Sequence, residues 1–454
     1  MPSLRMISPD TAFSYFFGAF RLVNSSELKS LLQKSFDAAV AAADPRKIVA
    51  LHLPRPPAKG RTLVVGAGKA AASMAAAVES VWPADAALTG VVITRYAHGL
   101  PLQRIRCVEA GHPVPDQAGE RAAQEILDAV SGLGPQDQLI VLVSGGGSSL
   151  LSLPAETISM ADLKSLTQAL LKSGAPITEM NTVRKHLSRL QGGRLALACK
   201  APVSALVISD VVGDDPSAIA SGPCTADPTT FQDAVDVLKR WSVTPPASIA
   251  AHLKAGLSGA VPETPKPGDP RLQHAQTTVI ATARESLQAA SEVFSGAGFQ
   301  IIMLGDAVTG EARDVAQVMA SWAREIALFA RPRPATPVVL ISGGECTVTV
   351  RGNGRGGRCV EFLLAFAHAC DALGISGRVA GVAADTDGID GVSPHAGGIL
   401  LPDTIQRARD HRLSLRPLLD NNDGLGLFEP LGDVITTGAT LTNVNDYRAL
   451  VIMP

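Results

Sequence analysis

An apolar run of strand length that breaks into a turn and then into an Ala- and Leu-rich segment recurs along the 454-residue chain, and this alternation constrains the fold more than any other feature. RTLVVGAGKAAASMAAAVES at 61–80 opens the series. Strand candidates follow at 90–95, 104–110, 138–144 and 204–210, with helical segments at 117–131, 161–173 and 182–199. Strands separated by helix-length connections pair in parallel through right-handed crossovers. Aromatic residues are only 4% of the chain, which suits helices packed closely on a parallel sheet better than a β-sandwich. The expected fold class is α/β.

One hydrophobic core serves roughly 250–300 residues, so a chain of this length should split. Residues 26–51 read as one amphipathic helix, broken by LPRPPAKG at 53–60. A Pro-rich stretch at 242–273 is the best linker candidate, and it divides the chain into an N-terminal domain, 1–255, and a C-terminal α/β domain, 256–454. Beyond it a second series places strands at 277–283, 299–305, 337–350, 379–388 and 447–453, with helices at 284–297, 310–330, 358–373 and 403–411. CTVTV, at 346–350, alternates after a short turn as hairpin strands do, which predicts a mixed second sheet.

With 18% charged residues and a net charge of −2, the chain carries no electrostatic footprint for nucleic acid or an anionic membrane. No uninterrupted apolar run reaches the ~18 residues of a membrane span. The first apolar cluster, Phe13 to Phe20, is interrupted by Ser14 and Gly18 and precedes no small-residue cleavage site, so no secretory signal is expected. The six cysteines lie singly, with no C-x-x-C pair. Reduced thiols in a cytoplasmic protein are the simpler reading.

Candidate chemistry concentrates at strand ends. Gly66, Gly68 and Ala71 satisfy G-x-G-x-x-A, a dinucleotide fingerprint, but the next strand ends in Arg95 where a ribose-binding carboxylate is expected. Lys69 in the same turn places an ammonium at a helix N-terminus, an unfavourable position unless an anion sits there. SGGGSSL follows the strand at 138–144, and its glycines Gly145, Gly146 and Gly147 let backbone amides converge on an anion, with Ser144 and Ser148 adding hydroxyls. It lacks the lysine of a P-loop. In MNTVRKHLSRLQGGRLA, 180–196, helical spacing sets Lys185 with Arg189 and Asn181 with Arg184 on shared faces; the competing reading is a solvated basic face. Asp210 leaves a strand ahead of Asp214 and Asp215, a pattern that suits Mg²⁺ or turn and cap chemistry equally. In the second half Arg351, Arg355 and Arg358 occupy Gly-rich turns before a helix, and Asp385, Asp387 and Asp390 share one loop. TTGATLTNVNDYR at 436–448 is a further cleft-lining candidate. G-x-S-x-G and H-E-x-x-H are absent, as is a Cys with a clear His partner, which removes the usual hydrolase signatures.

GAGKAA, EAGHPVPD (109–116), SGGGSS, MNTVRKHLS, QGGRLA, ISDVVGDDPSAIASGP, GRGGRCVE, ADTDGIDG and TNVNDYR, in that order from about residue 12 to the C-terminus, resemble the class II glycerate 2-kinases, a family once labelled hydroxypyruvate reductase. The resemblance implies a Rossmann-like parallel sheet in the N-terminal domain, a mixed-sheet α/β domain of the MOFRL type after it, and an active site in the cleft between them. It implies transfer of the γ-phosphoryl of ATP, with Mg²⁺, to the 2-hydroxyl of D-glycerate. Lys69 and Arg358 match the family's GAGKA lysine and GGRNQE arginine; Cys359 and Val360 stand where that motif has Asn and Gln. On this reading Lys69 and Arg358 meet glycerate and the transferring phosphoryl. Gly68, Ser144, Gly145, Gly146, Gly147 and Ser148 cradle phosphate, with Asn181, Arg184 and Lys185 beside them, and Asp210 and Asp385 hold Mg²⁺ or orient the hydroxyl. The expected partners are small molecules, and a homodimer is compatible with the pattern. The rival readings are an NAD(P)H-dependent hydroxypyruvate reductase and a non-catalytic metabolite sensor of similar fold.

Overall fold

The computed structural model describes residues 24–330 and 337–453, so the cluster at 13–20 lies outside the described residues. Six strands, β1 (Thr62–Ala67), β2 (Leu88–Arg95), β3 (Ile105–Ala110), β4 (Gln138–Val143), β5 (Val203–Ile208) and β6 (Ala275–Ala281), form one parallel sheet in the order β3-β2-β1-β4-β5-β6. Their continuous apolar runs follow from burial on both faces. Leu63 and Val65 pack under Ile126 and Val130 of the helix Gln117–Ser131, whereas Val64, with Ile140 and Leu142, packs under Met74 and Val78 of the helix Ala71–Val81. The strand order reverses between β1 and β4, which opens a crevice beyond their carboxyl ends, where an α/β sheet characteristically binds its ligand.

The later strands are β7 (Gln300–Gly305), β8 (Gly310–Glu311), β9 (Val338–Gly344), β10 (Cys346–Thr347), β11 (Val379–Asp385), β12 (Gly397–Leu400), β13 (Val434–Ile435) and β14 (Asp446–Ile452). Six of them form a mixed sheet, β13-β12-β11-β14-β9-β7, in which β7 and β9 are parallel and the other neighbours antiparallel. The mixed sheet is as expected, but the hairpin is not. At Gly344, with φ 113°, the chain turns so tightly that a Cβ would stand 2.3 Å from the Val308 carbonyl oxygen, and β10 leaves the sheet to pair in parallel with β8.

Sheet membership divides the chain differently from the expected boundary at 255/256. β6 lies beyond that boundary yet pairs with β5, so the Pro-rich stretch at 242–273 connects parts of one half. The helix Ser25–Ala42 packs through Leu28, Leu32 and Phe36 against Leu287, Phe294 and Tyr447 of the second half. That helix stops short of 51 because Asp44 caps a new one, Pro45–Ile48, with Pro at its first position. The expected helix at 182–199 is likewise two, Ile177–Leu187 and Arg194–Leu197, separated where Gly192 and Gly193 take positive φ. Helices Met160–Ser173, Ile177–Leu187, Phe231–Arg240 and Ala247–Leu257 build a separate apolar cluster around Leu166, Val183 and Phe231. Among the described residues no helix is long and apolar enough to cross a membrane.

Candidate active site

The crevice between β1 and β4 forms one wall of a cleft of about 200 Å³, lined from the first half by Lys69, His112, Ser148, Arg184 and Asp210 and from the second by Arg358. A larger groove of about 580 Å³, beside Phe231–Arg240 and Ala247–Leu257, is mainly apolar and brings together no cluster of polar groups. The two glycine-bearing turns are locked to each other. Gly68 sits at φ 143° against Ser144, where a Cβ would stand 2.1 Å from the hydroxyl oxygen. The Lys69 amide donates to the Gly145 carbonyl (2.8 Å) and the Ala70 amide to Ser144 Oγ (3.0 Å). Gly68 and Ala71 donate to Ile93 and Gly68 carbonyls. Every amide that would receive a pyrophosphate in a dinucleotide fold is therefore already engaged.

The second turn differs. The amides of Gly145, Gly146 and Ser148 donate to no acceptor among the described residues, while Gly146 takes φ 80°. Ser148 Oγ bonds Ser221 Oγ at 2.8 Å and stays at the cleft. Unbonded amides on successive residues of a Gly-rich turn are the kind of group from which an anion cradle is made.

The cations of the cleft fall into two classes. Lys69 Nζ meets Asp387 Oδ2 at 2.6 Å. Burial opposes its charge, but Asp387 and Asp385 outweigh burial and raise its pKa. Arg358, first residue of the helix Arg358–Ala372, donates through Nε to Asp446 (2.6 Å) and through Nη2 to Asp385 (2.7 Å), with Glu345 3.3 Å from Nη1. Arg448 in turn holds the other Asp446 oxygen at 2.6 Å. Arg184 has no such partner: it bonds Asn181 Oδ1 at 3.1 Å, and among the described residues no carboxylate lies within ion-pairing distance. Burial alone lowers its pKa to about 10. A desolvated guanidinium without a counter-ion is a strong attractor for an incoming anion.

Asp210, just beyond β5, is pushed up to about 6 by burial, with Lys69 opposing. Asn443 Nδ2 lies 3.5 Å from its carboxylate, and Asn445 Nδ2 donates to its backbone oxygen at 2.7 Å. Asp385 is driven up by burial and by Asp387; Asp387 is held down by Lys69 despite burial. Among the described residues no group of three His, Cys, Asp or Glu is arranged to hold a metal ion. Asp385 gives one oxygen to Arg358 and the other to the Asp387 amide, so it orients the arginine. Asp390 accepts from the Cys359 and Val360 amides and so caps the Arg358 helix.

Lys185 is a correction to the expected site. It faces away from Arg184, buried against Asp227 at 3.3 Å, because successive helical residues point about 100° apart. Asp215 closes a turn with Ser217, and Arg355 pairs with Glu429 at the surface. Cys359 and Val360 pack in the apolar core, and Glu361 pairs with Arg313. Sequence reasoning left out of the site His112, Glu345 and Asp446, and did not single out Asn443 or Asn445; the EAGHPVPD and TNVNDYR motifs were the available signal for all but Glu345.

The chain matches the family described as Domain of unknown function (DUF4147) over residues 31–254 and the MOFRL family over 338–446. A protein of Agrobacterium vitis with a provisional hydroxypyruvate reductase name is 48% identical, covering 94% of this chain and 95% of its own. The glycerate 2-kinase of Pyrococcus horikoshii is 40% identical, covering 87% and 88%. The crystal structure of a glycerate kinase from Thermotoga maritima superposes with a TM-score of 0.81 at 35% identity, covering 94% of this chain and 100% of that one. With relatives this similar along nearly its whole length and a switch-point cleft built from the same motifs, the chain belongs to the glycerate 2-kinase family.

Proposed function

We propose that the cleft transfers the γ-phosphoryl group of ATP to the 2-hydroxyl of D-glycerate, giving 2-phosphoglycerate and ADP. The observation that carries this reading is the pairing, in one cleft, of an unbonded amide cradle at Gly145, Gly146 and Ser148 with a counter-ion-free arginine, Arg184. One anion site suits a phosphoryl group and the other a carboxylate. Phosphoryl transfer needs positioning and charge compensation more than covalent chemistry. The cradle and Ser148 hold the terminal phosphate, Arg184 holds the glycerate carboxylate, and Lys69 and Arg358 compensate charge as the transfer proceeds. The 2-hydroxyl oxygen bonds to the γ-phosphorus as the bridging P–O bond breaks, ADP leaves with that electron pair, and the hydroxyl proton passes to Asp210.

Asp385 and Asp387 are paired with Arg358 and Lys69 in the protein as it stands. Mg²⁺ belongs on this reading to the nucleotide substrate, where it keeps phosphate and water ligands. The reductase alternative loses support on geometry: the amides of the Lys69 turn are engaged, and β2 ends in Arg95 with no carboxylate to bind a ribose. The test is to incubate the protein with D-glycerate and Mg·ATP and identify the product by phosphorus NMR, beside an NADH-plus-hydroxypyruvate assay. Formation of 2-phosphoglycerate is expected; NADH oxidation without phosphoryl transfer would overturn the assignment.

A further inference from the structure

We infer that His112 is a contact residue for the transferring phosphoryl group, forming one wall of the anion cradle; the inference rests on the phosphotransfer reading above. The residue follows β3, is half-buried and lines the cleft. A Cβ built on Gly146 would stand 2.8 Å from both Cδ2 and Nε2 of the imidazole, so the ring edge lies against the backbone of the cradle. Any side chain at 146 would displace it.

Its bonding sets it apart from most of the other enclosed histidines, His368 in a pocket of the second half being the exception. His98, His186, His252, His274 and His395 each place a ring nitrogen within hydrogen-bond distance of a protein oxygen, at 2.7–3.2 Å. Neither nitrogen of His112 has a partner among the described residues. A structural histidine in a half-buried position usually satisfies at least one nitrogen, so this ring is poised for something that enters the cleft.

The charged groups facing it are Lys69, Arg95 and Arg184, opposed by Asp387. Burial first, and then these three cations, push its pKa down to about 4. At neutral pH the ring is uncharged and offers one N–H donor and one acceptor. A phosphoryl oxygen seated on the Gly145 and Gly146 amides would accept that N–H, and its negative charge would offset the surrounding cations. Binding therefore raises the imidazole pKa, and by linkage phosphate binds more tightly as pH falls toward the bound-state value. On the reading above Arg184 takes the glycerate carboxylate and the cradle amides take the phosphoryl group, so the phosphoryl group is the assigned occupant.

The experiment has two arms. In the first, the His112 imidazole resonance, identified by its loss in His112→Gln, is titrated by NMR with and without Mg·ATP, glycerate being absent. An upward pKa shift with nucleotide is expected, and an unmoved resonance would sink the inference. This arm needs no turnover, so it reports whether a nucleotide phosphate meets His112 even if the phosphotransfer reading fails. The second arm compares kinetics, where losing a hydrogen bond to a charged group is on the order of a ten- to hundredfold effect. His112→Ala should lose that much in kcat/KM for ATP while its KM for glycerate stays within about twofold, and His112→Gln, which keeps an N–H donor, should recover most of the loss. If wild type makes 2-phosphoglycerate and His112→Ala keeps its kcat and its KM for ATP, the histidine is scaffold. If wild type makes none, the functional assignment has failed instead.

Discussion

Arg358 and Arg184 reach one cleft from opposite halves of the molecule under opposite electrostatic conditions. Arg358 emerges from the mixed-sheet half with three carboxylates around it, and Asp446, itself held by Arg448, fixes its fork. Asp446, Asp385 and Glu345 outweigh burial and raise its pKa. Arg184 emerges from the helical layer on the parallel-sheet half with one amide oxygen as partner, and burial lowers its pKa to about 10. The first arginine is pre-positioned and already neutralised, so on the proposed function it is suited to charge that develops during transfer. The second is left electrostatically unsatisfied by the fold, a condition that a substrate anion relieves. The comparison teaches that two arginines lining the same cleft need not do the same work: on the proposed function one belongs to the apparatus and the other to the binding site.

Replacing each arginine should separate these roles. Arg358→Ala leaves Asp385 buried without its arginine and Asp446 with Arg448 alone, and breaking such a buried pair costs about 3–5 kcal/mol. Denaturant unfolding should register that loss, and phosphotransfer should disappear with it. Arg184→Met should behave in the opposite sense. Removing a desolvated cation that has no counter-ion leaves Tm unchanged or higher, while kcat/KM for glycerate falls on the order of a hundredfold, mainly through KM. A Tm drop in Arg184→Met comparable to that of Arg358→Ala would break the distinction.

How much of this was legible in the sequence follows the range of the interactions involved. β1, β4 and their turns could be read because an apolar run followed by Gly-rich punctuation is a local signal. Lys69 and Arg358 were reached through motif resemblance, and the structure brings them to one cleft across 289 positions of sequence, 358 − 69. What escaped was non-local. Arg184 and Lys185 are neighbours on one helix, and only the packing of that helix against Phe231 and its surroundings decides which of them meets the cleft. β6 lies past a Pro-rich stretch that looks like a linker, and its sheet is settled by hydrogen bonds to β5. Asp390 shares a loop with Asp385 and Asp387, yet it caps a helix. His112 sits in the EAGHPVPD motif, but its proximity to Gly146 is visible only in three dimensions.

The acid of the cleft sharpens the comparison through pH. Asp210 is raised by burial to about 6, so if it accepts the hydroxyl proton it must be ionised, and kcat/KM should rise with pH through about 6 and level off above it. Asp210→Asn should lose most of the activity and flatten that limb in whatever remains. Stability runs the other way. A carboxyl whose folded pKa exceeds its unfolded value favours the protonated form, so its contribution is present at low pH and declines as pH rises from about 4 through 6. Thermal melts of Asp210→Asn should therefore match wild type near pH 4 and exceed it at pH 8.

The smallest catalytic effect belongs to Lys185, and it tests whether the helix Ile177–Leu187 presents only one face to the substrate. Lys185 is 5% exposed, and its ammonium meets Asp227, which also accepts from Thr229 and Thr264. Lys185→Met removes the cation and leaves a carboxylate still held by two hydroxyls. The loss should reach about 3 kcal/mol, the lower end for a broken buried pair. Because Arg184 and Asn181 occupy a different face of the same helix, kcat/KM measured well below the lowered Tm should stay within about threefold of wild type. A hundredfold loss in a variant that remains folded would instead put both neighbours in contact with the substrate, and the contrast between an occupied and a vacant cation would no longer hold along this helix.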